Sequence, residues 1–373
     1  MQTSDFRQLA QWTVDQAITI QQIAAPTFEE QARAAYVAEQ FTALGLTAVD
    51  LDDKFNVYGC LPGTSSDQPG IMMTAHTDTV FAAQTNLSLR REGDLIFGPG
   101  LGDNSMGVAG MLGAIKAVRD DKTTFPTDIW FVATTREEGL GNLGGMRAAY
   151  DRLQGRIRGV INIEGLAFGH VYYAAIAVRR LKISVTVAGG HSWLHFGRPS
   201  ATHALVQLGA RITALQPPTN PRTTYNIGMI EGGTTINAIA PHASLWLDLR
   251  SEDRATLARL ENEVRAQIKA LEADDLTFTV EVVGDRPAGA IPVSHPFVQA
   301  ALNSLAEQGV RASLEIGSTD ANVPLSEGCP AITVGITRGG NAHRTDEFVE
   351  VSPVALGLRH LLSVLATIAK ETR

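Results

Sequence analysis

Apolar residues along this chain form two recurring patterns that alternate over most of its length. Four short, largely apolar runs, GIMMTA, DIWFVATT, GVINI and AITVGI, have the length of strands that are buried on both faces of a sheet. Helical spacing of apolar residues covers residues 5–46 and the segment NSMGVAGMLGAIKAVRDD, which lies between the first two runs. Strands that alternate with helices in this way predict an α/β domain.

Residues 181–284 follow a different pattern. The segment LKISVTVA alternates apolar and polar residues, as a half-buried strand does, and the helix after it is predicted to carry Pro199 in its first turn. Two strands, a second helix and a last strand complete the order β-α-β-β-α-β, which is that of a ferredoxin-like α+β unit. We therefore predict a mixed-sheet α/β domain over 1–180 and 285–373, interrupted by an inserted ferredoxin-like domain over 181–284.

Length and composition limit the classes of protein that need to be considered. The chain has 373 residues, enough for two domains, because single cores stop growing near ~250–300 residues. Its net charge of −8 argues against a nucleic-acid partner, and no apolar stretch approaches the ~20 residues of a membrane span. The start of the chain lacks the basic and apolar regions of a signal peptide, so we expect a cytoplasmic protein. Cys60 and Cys329 are too few for a disulfide framework or a thiolate metal site.

Acids and histidines follow the predicted strands of the first domain. The residues concerned are His76 and Asp78 after GIMMTA, Asp103 after LIFGPGLG, Glu137 and Glu138 after DIWFVATT, Glu164 at the end of GVINI, and His343 after AITVGI. With 9 histidines and 39 acids in 373 residues, about one His-x-acid triplet is expected by chance, so this triplet alone does not indicate a site. Five strand ends with the same chemistry are a signal, since ligands of open α/β sheets bind at the carboxyl ends of the strands.

The residue types at these strand ends predict a metal centre. Histidines and carboxylates without thiolates suit zinc, with cobalt and manganese as alternatives, and they are numerous enough for two ions that share a carboxylate. Asp78, two residues after His76, leans to the same side of the strand and can accept the second ring N–H of that imidazole. Of the adjacent pair Glu137 and Glu138, one can ligate a metal while the other acts as a general base towards water.

Seven segments carry a resemblance to a known family. They are MMTAHTDTV, GPGLGDNSMGVAG, TTREEGLGNLGG, INIEG, GGHSW, GSTDAN and NAHRTDE, and they occur in the family's order, with their first and last histidines at residues 76 and 343. Together they resemble the dinuclear zinc exopeptidase and amidohydrolase family that contains peptidase T, aminoacylase, carboxypeptidase G and succinyl-diaminopimelate desuccinylase. The resemblance implies a metal-dependent hydrolase that cleaves an amide or peptide bond of a small substrate.

The resemblance also implies a role for each site residue. His76 and Glu164 would hold one ion, Glu138 and His343 the other, with Asp103 bridging them, Glu137 as general base and Asp78 orienting His76. The inserted domain would be a lid or dimerisation domain, whose His191 reaches across a homodimer to polarise the scissile carbonyl. The residues implied to contact the substrate are Asn237 and Arg250 in that domain, and Gly317, Ser318 and Thr319 in the GSTDAN turn.

Alternative functions remain open at this point. An exopeptidase of the peptidase T-like kind is favoured by HTDTV and GSTDAN, whereas Glu164 stands where several family deacylases have Glu and many aminopeptidases have Asp. An N-acyl amino-acid deacylase or a carboxypeptidase is therefore the alternative, so that the substrate is a small peptide or an N-acyl amino acid. A nucleotide-dependent enzyme is disfavoured, because Ser105 replaces the third glycine of the phosphate fingerprint and Asp103 would repel a pyrophosphate. An inactive binding module is disfavoured because Glu137 and every implied ligand are present.

Overall fold

The chain forms two units in a computed structural model that describes residues 3–65 and 68–370. The first unit comprises Met1–Ala175 and Gly289–Arg373, and the second comprises Ile176–Ala288. The predicted domain boundaries, at 180/181 and 284/285, fall within a few residues of these divisions. Residues 1–2, 66–67 and 371–373 of the predicted first domain lie outside the described residues.

Helices and strands alternate along both units. The helices are α1 (Thr3–Gln21), α2 (Gln31–Ala43), α3 (Gly107–Asp120), α4 (Gly144–Leu153), α5 (Ala201–Thr213), α6 (Arg254–Lys269), α7 (Pro296–Glu307), α8 (Asn322–Ser326) and α9 (Val354–Lys370). The strands are β1 (Thr47–Leu51), β2 (Val57–Leu61), β3 (Gly70–His76), β4 (Arg90–Glu92), β5 (Leu95–Phe97), β6 (Ile129–Thr134), β7 (Ile157–Glu164), β8 (His170–Ala175), β9 (Ala177–Thr186), β10 (Gly190–His191), β11 (Thr223–Gly232), β12 (Ala238–Ile239), β13 (His242–Ser251), β14 (Thr277–Arg286), β15 (Gly289–Ala290), β16 (Ser313–Gly317), β17 (Ala331–Gly335), β18 (Gly339–Gly340) and β19 (Phe348–Glu350).

The first unit is built on a large mixed sheet. Its strand order is β1-β2-β6-β3-β7-β17-β8-β15, with β16 paired to β8, and its centre, β6-β3-β7-β17, is parallel. These four parallel strands are the four apolar runs of the sequence, so their prediction is confirmed. Successive residues of β3 point to opposite faces: Ile71 and Met73 join one core and Met72 the other. Burial on both faces explains why these strands are apolar without alternation.

One part of the sequence prediction for this unit is wrong. The LIF segment before Asp103 is predicted to be a strand that ends at the same crevice, but β5 belongs to a separate sheet with the order β18-β19-β5-β4. Asp103 instead lies in an irregular turn over Leu101–Met106 that leads into α3. Gly100, which directly precedes this turn, has a left-handed backbone with φ of 70° that favours glycine.

The second unit has a four-stranded antiparallel sheet in the order β11-β13-β9-β14. Helices α5 and α6 pack on β9 and β13 and share one hydrophobic core with them. This order is that of a ferredoxin-like unit, as predicted. Pro199 is not in the first turn of α5, because the helix begins after Ser200. Across the described parts of both units, we find no helix with the length and apolar character needed to cross a membrane.

Candidate metal centre

The predicted metal ligands of the first unit meet at the carboxyl edge of the main sheet. His76 is the last residue of β3, and Glu164 is the last residue of the neighbouring parallel strand β7. Glu138 follows β6 on the other side of β3, and His343 lies in the loop between β18 and β19. Asp103 joins them from the turn before α3. Parallel strands of one sheet end at the same edge, which is why residues far apart in sequence meet there.

Asp103 stands between two sets of ligand atoms. Its Oδ1 lies 3.2 Å from His76 Nε2, and its Oδ2 lies 3.0 Å from His343 Nε2. His76 Nε2 is also 3.5 Å from Glu164 Oε2, and His343 Nε2 is 3.1 Å from Glu138 Oε1. The two oxygens of one carboxylate thus face two different histidines, each of which has a further carboxylate beside it.

The spacing of these atoms fits divalent ions. Around a tetrahedral zinc ion with bonds of about 2.0–2.1 Å, neighbouring ligand atoms are separated by about 3.3 Å. The four measured separations, from 3.0 to 3.5 Å, cluster around that value. Ligand atoms of His76, Asp103 and Glu164 all lie within 4.8 Å of one another, and so do those of Asp103, Glu138 and His343. The residues present therefore suit two ions that share Asp103.

Asp78 holds the main chain that carries the two adjacent glutamates. Its Oδ1 accepts a hydrogen bond from the main-chain N–H of Glu137 at 2.9 Å, and its Oδ2 accepts one from Glu138 N at 2.9 Å. The side chain of Thr27 donates to the same Oδ2 at 2.8 Å. His76 Nδ1 lies 3.1 Å from the main-chain oxygen of Asp78 and 3.6 Å from its carboxylate. The nearer acceptor for the His76 ring is thus the carbonyl, and the carboxylate mainly orders the glutamate loop.

The charged groups of this cluster shift one another's pKa values. Burial lowers the pKa of His76, but the carboxylates of Glu164, Asp103 and Asp78 outweigh burial and leave that pKa well above its usual value. Hydrogen bonds to Asp103 and Glu138 raise the pKa of His343 to about 10. Burial alone would raise the pKa of Asp103, yet its two histidine partners hold it well below its usual range. Carboxylates outnumber imidazoles here, so divalent cations would neutralise excess negative charge.

Close backbone contacts and one buried amide bring Glu164 next to Asp103. A Cβ on Gly165 would lie 2.2 Å from the main-chain oxygen of Gly102, so only glycine permits this approach. The side chain of Asn104 donates to Ile163 O at 2.8 Å and accepts from Gly165 N at 2.8 Å. Asn104 therefore binds the main chain on both sides of Glu164 and fixes that ligand relative to Asp103.

Sequence reasoning missed several residues that support this centre. They are Asn104, Glu347, Thr27 and Glu30. The Oε1 of Glu347 accepts the N–H of Gly102 at 2.6 Å and that of Asp103 at 2.9 Å. Thr27 and Glu30 come from the segment before α2. Burial raises the pKa of Glu347 to about 7. Asn104 and Glu347 lie inside the motifs GLGDNSMG and NAHRTDE, so their neighbours were a usable signal. Thr27 and Glu30 had no such signal.

The GSTDAN turn contacts the centre through a chain of hydrogen bonds. Thr319 Oγ1 lies 3.1 Å from Thr333 Oγ1, which accepts from Asn162 Nδ2 at 3.2 Å, and the same amide is 3.3 Å from Glu164 Oε1. Gly317 ends β16, and Ser318 and Thr319 are half-buried. Asp320 is fully buried, accepts from Thr134 Oγ1 at 2.5 Å, and has its pKa raised by burial to about 7. Substrate contact by residues 317–319 stays a prediction.

The predicted residues of the second unit fall into two groups. His191 and Asn237 lie together, because β10 pairs with β12 and Ser192 N donates to Asn237 O at 3.1 Å. Beside them an open cleft of about 780 Å³ is lined by residues of this unit, among them Ser192, His203 and Thr235. Arg250 lies near the end of β13, eight residues from His242, which is the first residue of that strand and follows β12 in the sequence. At the rise of a β-strand, eight residues correspond to about 26 Å. The Nε of Arg250 donates to Asp248 at 2.9 Å. Within this unit Arg250 does not meet the other two, and its role in binding substrate stays a prediction.

The fold and this cluster define a class of protein: a metal-dependent hydrolase, in which the parallel strands at the centre of a mixed sheet lead to two ligand sets that share a carboxylate. Comparison with known families gives the same result. The sequence model of peptidase family M20/M25/M40 matches residues 72–367, which is more than half of the chain. The chain therefore belongs to this family.

Individual relatives differ in what they are described to do. The chain is 26% identical to acetylornithine deacetylase of Photorhabdus laumondii over 317 residues, which is 79% of each chain. Its fold resembles the crystal structure of aminopeptidase PepT from Bacillus cereus, with a TM-score of 0.76, 22% identity, and coverage of 97% of this chain and 99% of that one. It also resembles the YXEP protein of Bacillus subtilis, a dinuclear metal-binding M20 peptidase, with a TM-score of 0.71, 16% identity and coverage of 98% and 100%.

Proposed function

We propose that this chain is an exopeptidase of the peptidase T-like kind, which hydrolyses a terminal peptide bond of small peptides with two divalent metal ions. One observation carries the proposal: the two oxygens of Asp103 face His76 and His343 separately, at 3.2 and 3.0 Å. Two ligand sets that share one carboxylate can place two ions close together, as two-metal hydrolases require. Zinc is the ion we favour, and cobalt and manganese accept the same ligands.

Each residue of the centre has a defined task in this proposal. His76 and Glu164 would hold one ion, Glu138 and His343 would hold the other, and Asp103 would be shared by the two sets. When bound, the ions lower the pKa of water and withdraw charge from the substrate carbonyl oxygen. Glu137 is the general base: it removes a proton from the attacking water and returns that proton to the leaving amine. Asp78 fixes the peptide groups of Glu137 and Glu138, so that one side chain can bind an ion while its neighbour faces the water.

The substrate is the finer part of the proposal. Likeness to an aminopeptidase fold and the HTDTV and GSTDAN segments support an exopeptidase. An N-acyl amino-acid deacylase is the second candidate, because the family resemblance implies that Glu164 stands where several deacylases have Glu, and because an acetylornithine deacetylase is among the relatives. An aminopeptidase must bind the ammonium of a free N-terminus, whereas a deacylase must accept an acyl group at the same place. The two candidates therefore predict opposite effects of N-acylation.

A matched set of substrates distinguishes the candidates. The protein is stripped of metal, reconstituted with zinc, cobalt or manganese, and assayed with a tripeptide, its N-acetylated form, its C-terminal amide and an N-acetyl amino acid. The proposal predicts that the free tripeptide is cleaved, that N-acetylation abolishes cleavage, and that a chelator removes the activity. Cleavage of the N-acetyl amino acid alone would establish the deacylase instead. Loss of activity only with the C-terminal amide would indicate a carboxypeptidase.

We also propose that the protein acts as a homodimer formed through the second unit. Strand β11 is at the edge of its sheet, and its Met229 and Ile230 are exposed, so a second copy of this edge can pair with it. His191 is exposed as well, and its Nδ1 accepts the main-chain N–H of Trp193 at 3.1 Å. This bond leaves the proton of the neutral ring on Nε2, which can then donate to a substrate carbonyl oxygen. In the proposal, His191 does so in the active site of the partner subunit, with Asn237 beside it.

A further inference from the structure

Three successive main-chain N–H groups in the glutamate loop donate to two buried carboxylates. Glu137 N and Glu138 N donate to the two oxygens of Asp78, and Arg136 N donates to Glu30 Oε1 at 3.1 Å. Arg136 has a left-handed backbone with φ of 57°. A left-handed residue turns consecutive N–H groups towards one side and creates a concave site that binds anions. Here the anions are two side chains of the protein itself.

Glu30 differs from a surface acid in its burial and its contacts. It lies just before α2, where an acid normally remains in solvent, yet its side chain is fully buried. Its Oε1 accepts from Phe28 N at 2.9 Å as well as from Arg136 N, whereas its Oε2 has no hydrogen-bond partner among the described residues. A buried carboxylate costs free energy unless its contacts compensate. The neighbouring Glu29, by contrast, is exposed.

The segment that contains Glu30 is itself fixed to the metal centre. Thr27 donates to Asp78, and the fully buried guanidinium of Arg33 donates to Thr77 O at 2.7 Å and to Ile23 O at 2.6 Å. Thr77 lies between His76 and Asp78. The stretch from residue 23 to 33 thus contacts both the strand end that carries His76 and the loop that carries the two glutamates.

We propose that Glu30 is a positioning residue of the active site: it holds the Thr135–Arg136 peptide group, directly before Glu137, so that the carboxylate of Glu137 faces the reacting water. The inference rests on the proposed role of Glu137 as general base. Glu30 acts through one oxygen, Oε1, that must reach two N–H groups at once. The reach of this oxygen therefore decides whether both contacts form, and we expect its charge to affect the rate less than its reach. Displacement of a catalytic group by even about 1 Å can cost 10²-fold in rate.

Two substitutions separate reach from charge. Glu30→Asp keeps the charge but shortens the side chain by one methylene, which withdraws the oxygen from Arg136 N. Glu30→Gln loses the charge but keeps an oxygen at the same reach. We expect Glu30→Asp to lower kcat by about 10–100-fold, the usual loss for a residue that orients a ligand or base, with KM almost unchanged. Glu30→Gln should keep most of kcat, even though its buried NH₂ group lowers the melting temperature. Glu29→Ala is the control and should change neither.

A second measurement does not depend on activity or on bound metal. Hydrogen exchange of the Arg136 amide should accelerate in Glu30→Asp and remain slow in Glu30→Gln and Glu29→Ala. A third measurement tests whether Glu30 acts through Glu137. In a Glu137→Gln background, Glu30→Asp should lose most of its effect on kcat, because the group that it positions is no longer a base.

Several results would overturn the inference. If Glu30→Asp only lowered the melting temperature, with kcat and Arg136 exchange at wild-type values, Glu30 would be structural. If Glu30→Gln lost kcat and Glu30→Asp did not, charge and not reach would be responsible, and an equal loss in both variants would likewise show that reach does not decide the rate. An equal loss in the wild-type and Glu137→Gln backgrounds would show that Glu30 does not act through Glu137. Full activity of Glu137→Gln alone would instead refute the proposed function, while the exchange data would still report on the contact with Arg136.

Discussion

Asp78→Asn is a small change in shape with a large expected effect, because Asp78 uses both of its oxygens. One oxygen accepts from Glu137 N and the other from Glu138 N and Thr27 Oγ1, at 2.8–2.9 Å. An asparagine has one oxygen and one NH₂ group, so in either orientation its NH₂ faces a main-chain N–H. One hydrogen bond to a charged group, about 1.5–3 kcal/mol, is lost, and a buried N–H is left without an acceptor, at about 1–3 kcal/mol. We therefore expect the free energy of unfolding to fall by about 2.5–6 kcal/mol.

The catalytic effect of Asp78→Asn should appear at the glutamates and not at His76. The nearest acceptor of His76 Nδ1 is the main-chain oxygen of Asp78, which the substitution retains. We expect kcat to fall by about 10–100-fold and binding of the ion at Glu138 and His343 to weaken, with the ion at His76 and Glu164 retained. Denaturant unfolding, steady-state kinetics and anomalous diffraction from each ion measure the three effects. Wild-type stability and kcat, or loss of the His76 ion alone, would refute this reasoning.

Two further predictions concern other parts of the chain. Burial lowers the pKa of His360 to about 4 from an unfolded value near 6.5, so the unfolded chain binds a proton that the folded chain excludes, and stability is lost as pH falls from about 6.5 to 4. The acidic side chains titrate alike in the wild type and in His360→Gln. Between pH 6.5 and 4 we therefore expect the free energy of unfolding of His360→Gln to fall by about 3 kcal/mol less than that of the wild type. An identical pH dependence of unfolding in the two proteins would contradict this prediction. If His191 acts in the partner's site, mixing inactive His191→Ala with inactive Glu137→Gln should restore part of the activity, because each mixed dimer has one intact site. No recovery after verified subunit exchange would rule this out.

The sequence was sufficient for the parts of the fold that depend on local pattern. Strands β3, β6, β7 and β17 are buried on both faces, and such strands are visible as continuous apolar runs. The ends of β3 and β7 then locate His76 and Glu164 at one edge, because parallel strands end together. Asp103 was found by its motif and not by the strand assigned to it, since a three-residue strand such as β5 gives no pattern that distinguishes one sheet from another.

The supporting residues of the centre could not be predicted, because their surroundings come from distant parts of the chain. Glu29 and Glu30 are adjacent and chemically identical, yet Glu30 is buried where Arg136 N, 106 residues away, donates to it, and Glu29 is exposed. The double use of Asp78 is equally invisible in sequence. The His-x-Asp spacing indicated a partner for the imidazole, whereas the carboxylate is occupied by main-chain N–H groups that follow another strand.

The central claim is that Glu137 is the general base of a two-metal hydrolase, and one comparison tests it directly. Metal content and peptide hydrolysis are measured side by side for the wild type and Glu137→Gln. The account predicts two divalent ions per chain in both proteins, and a turnover lower by about 10²–10⁴-fold in the variant. Full turnover in Glu137→Gln would contradict the role of the base. Wild-type hydrolysis that persists without transition metal and in the presence of a chelator would contradict the metal centre itself.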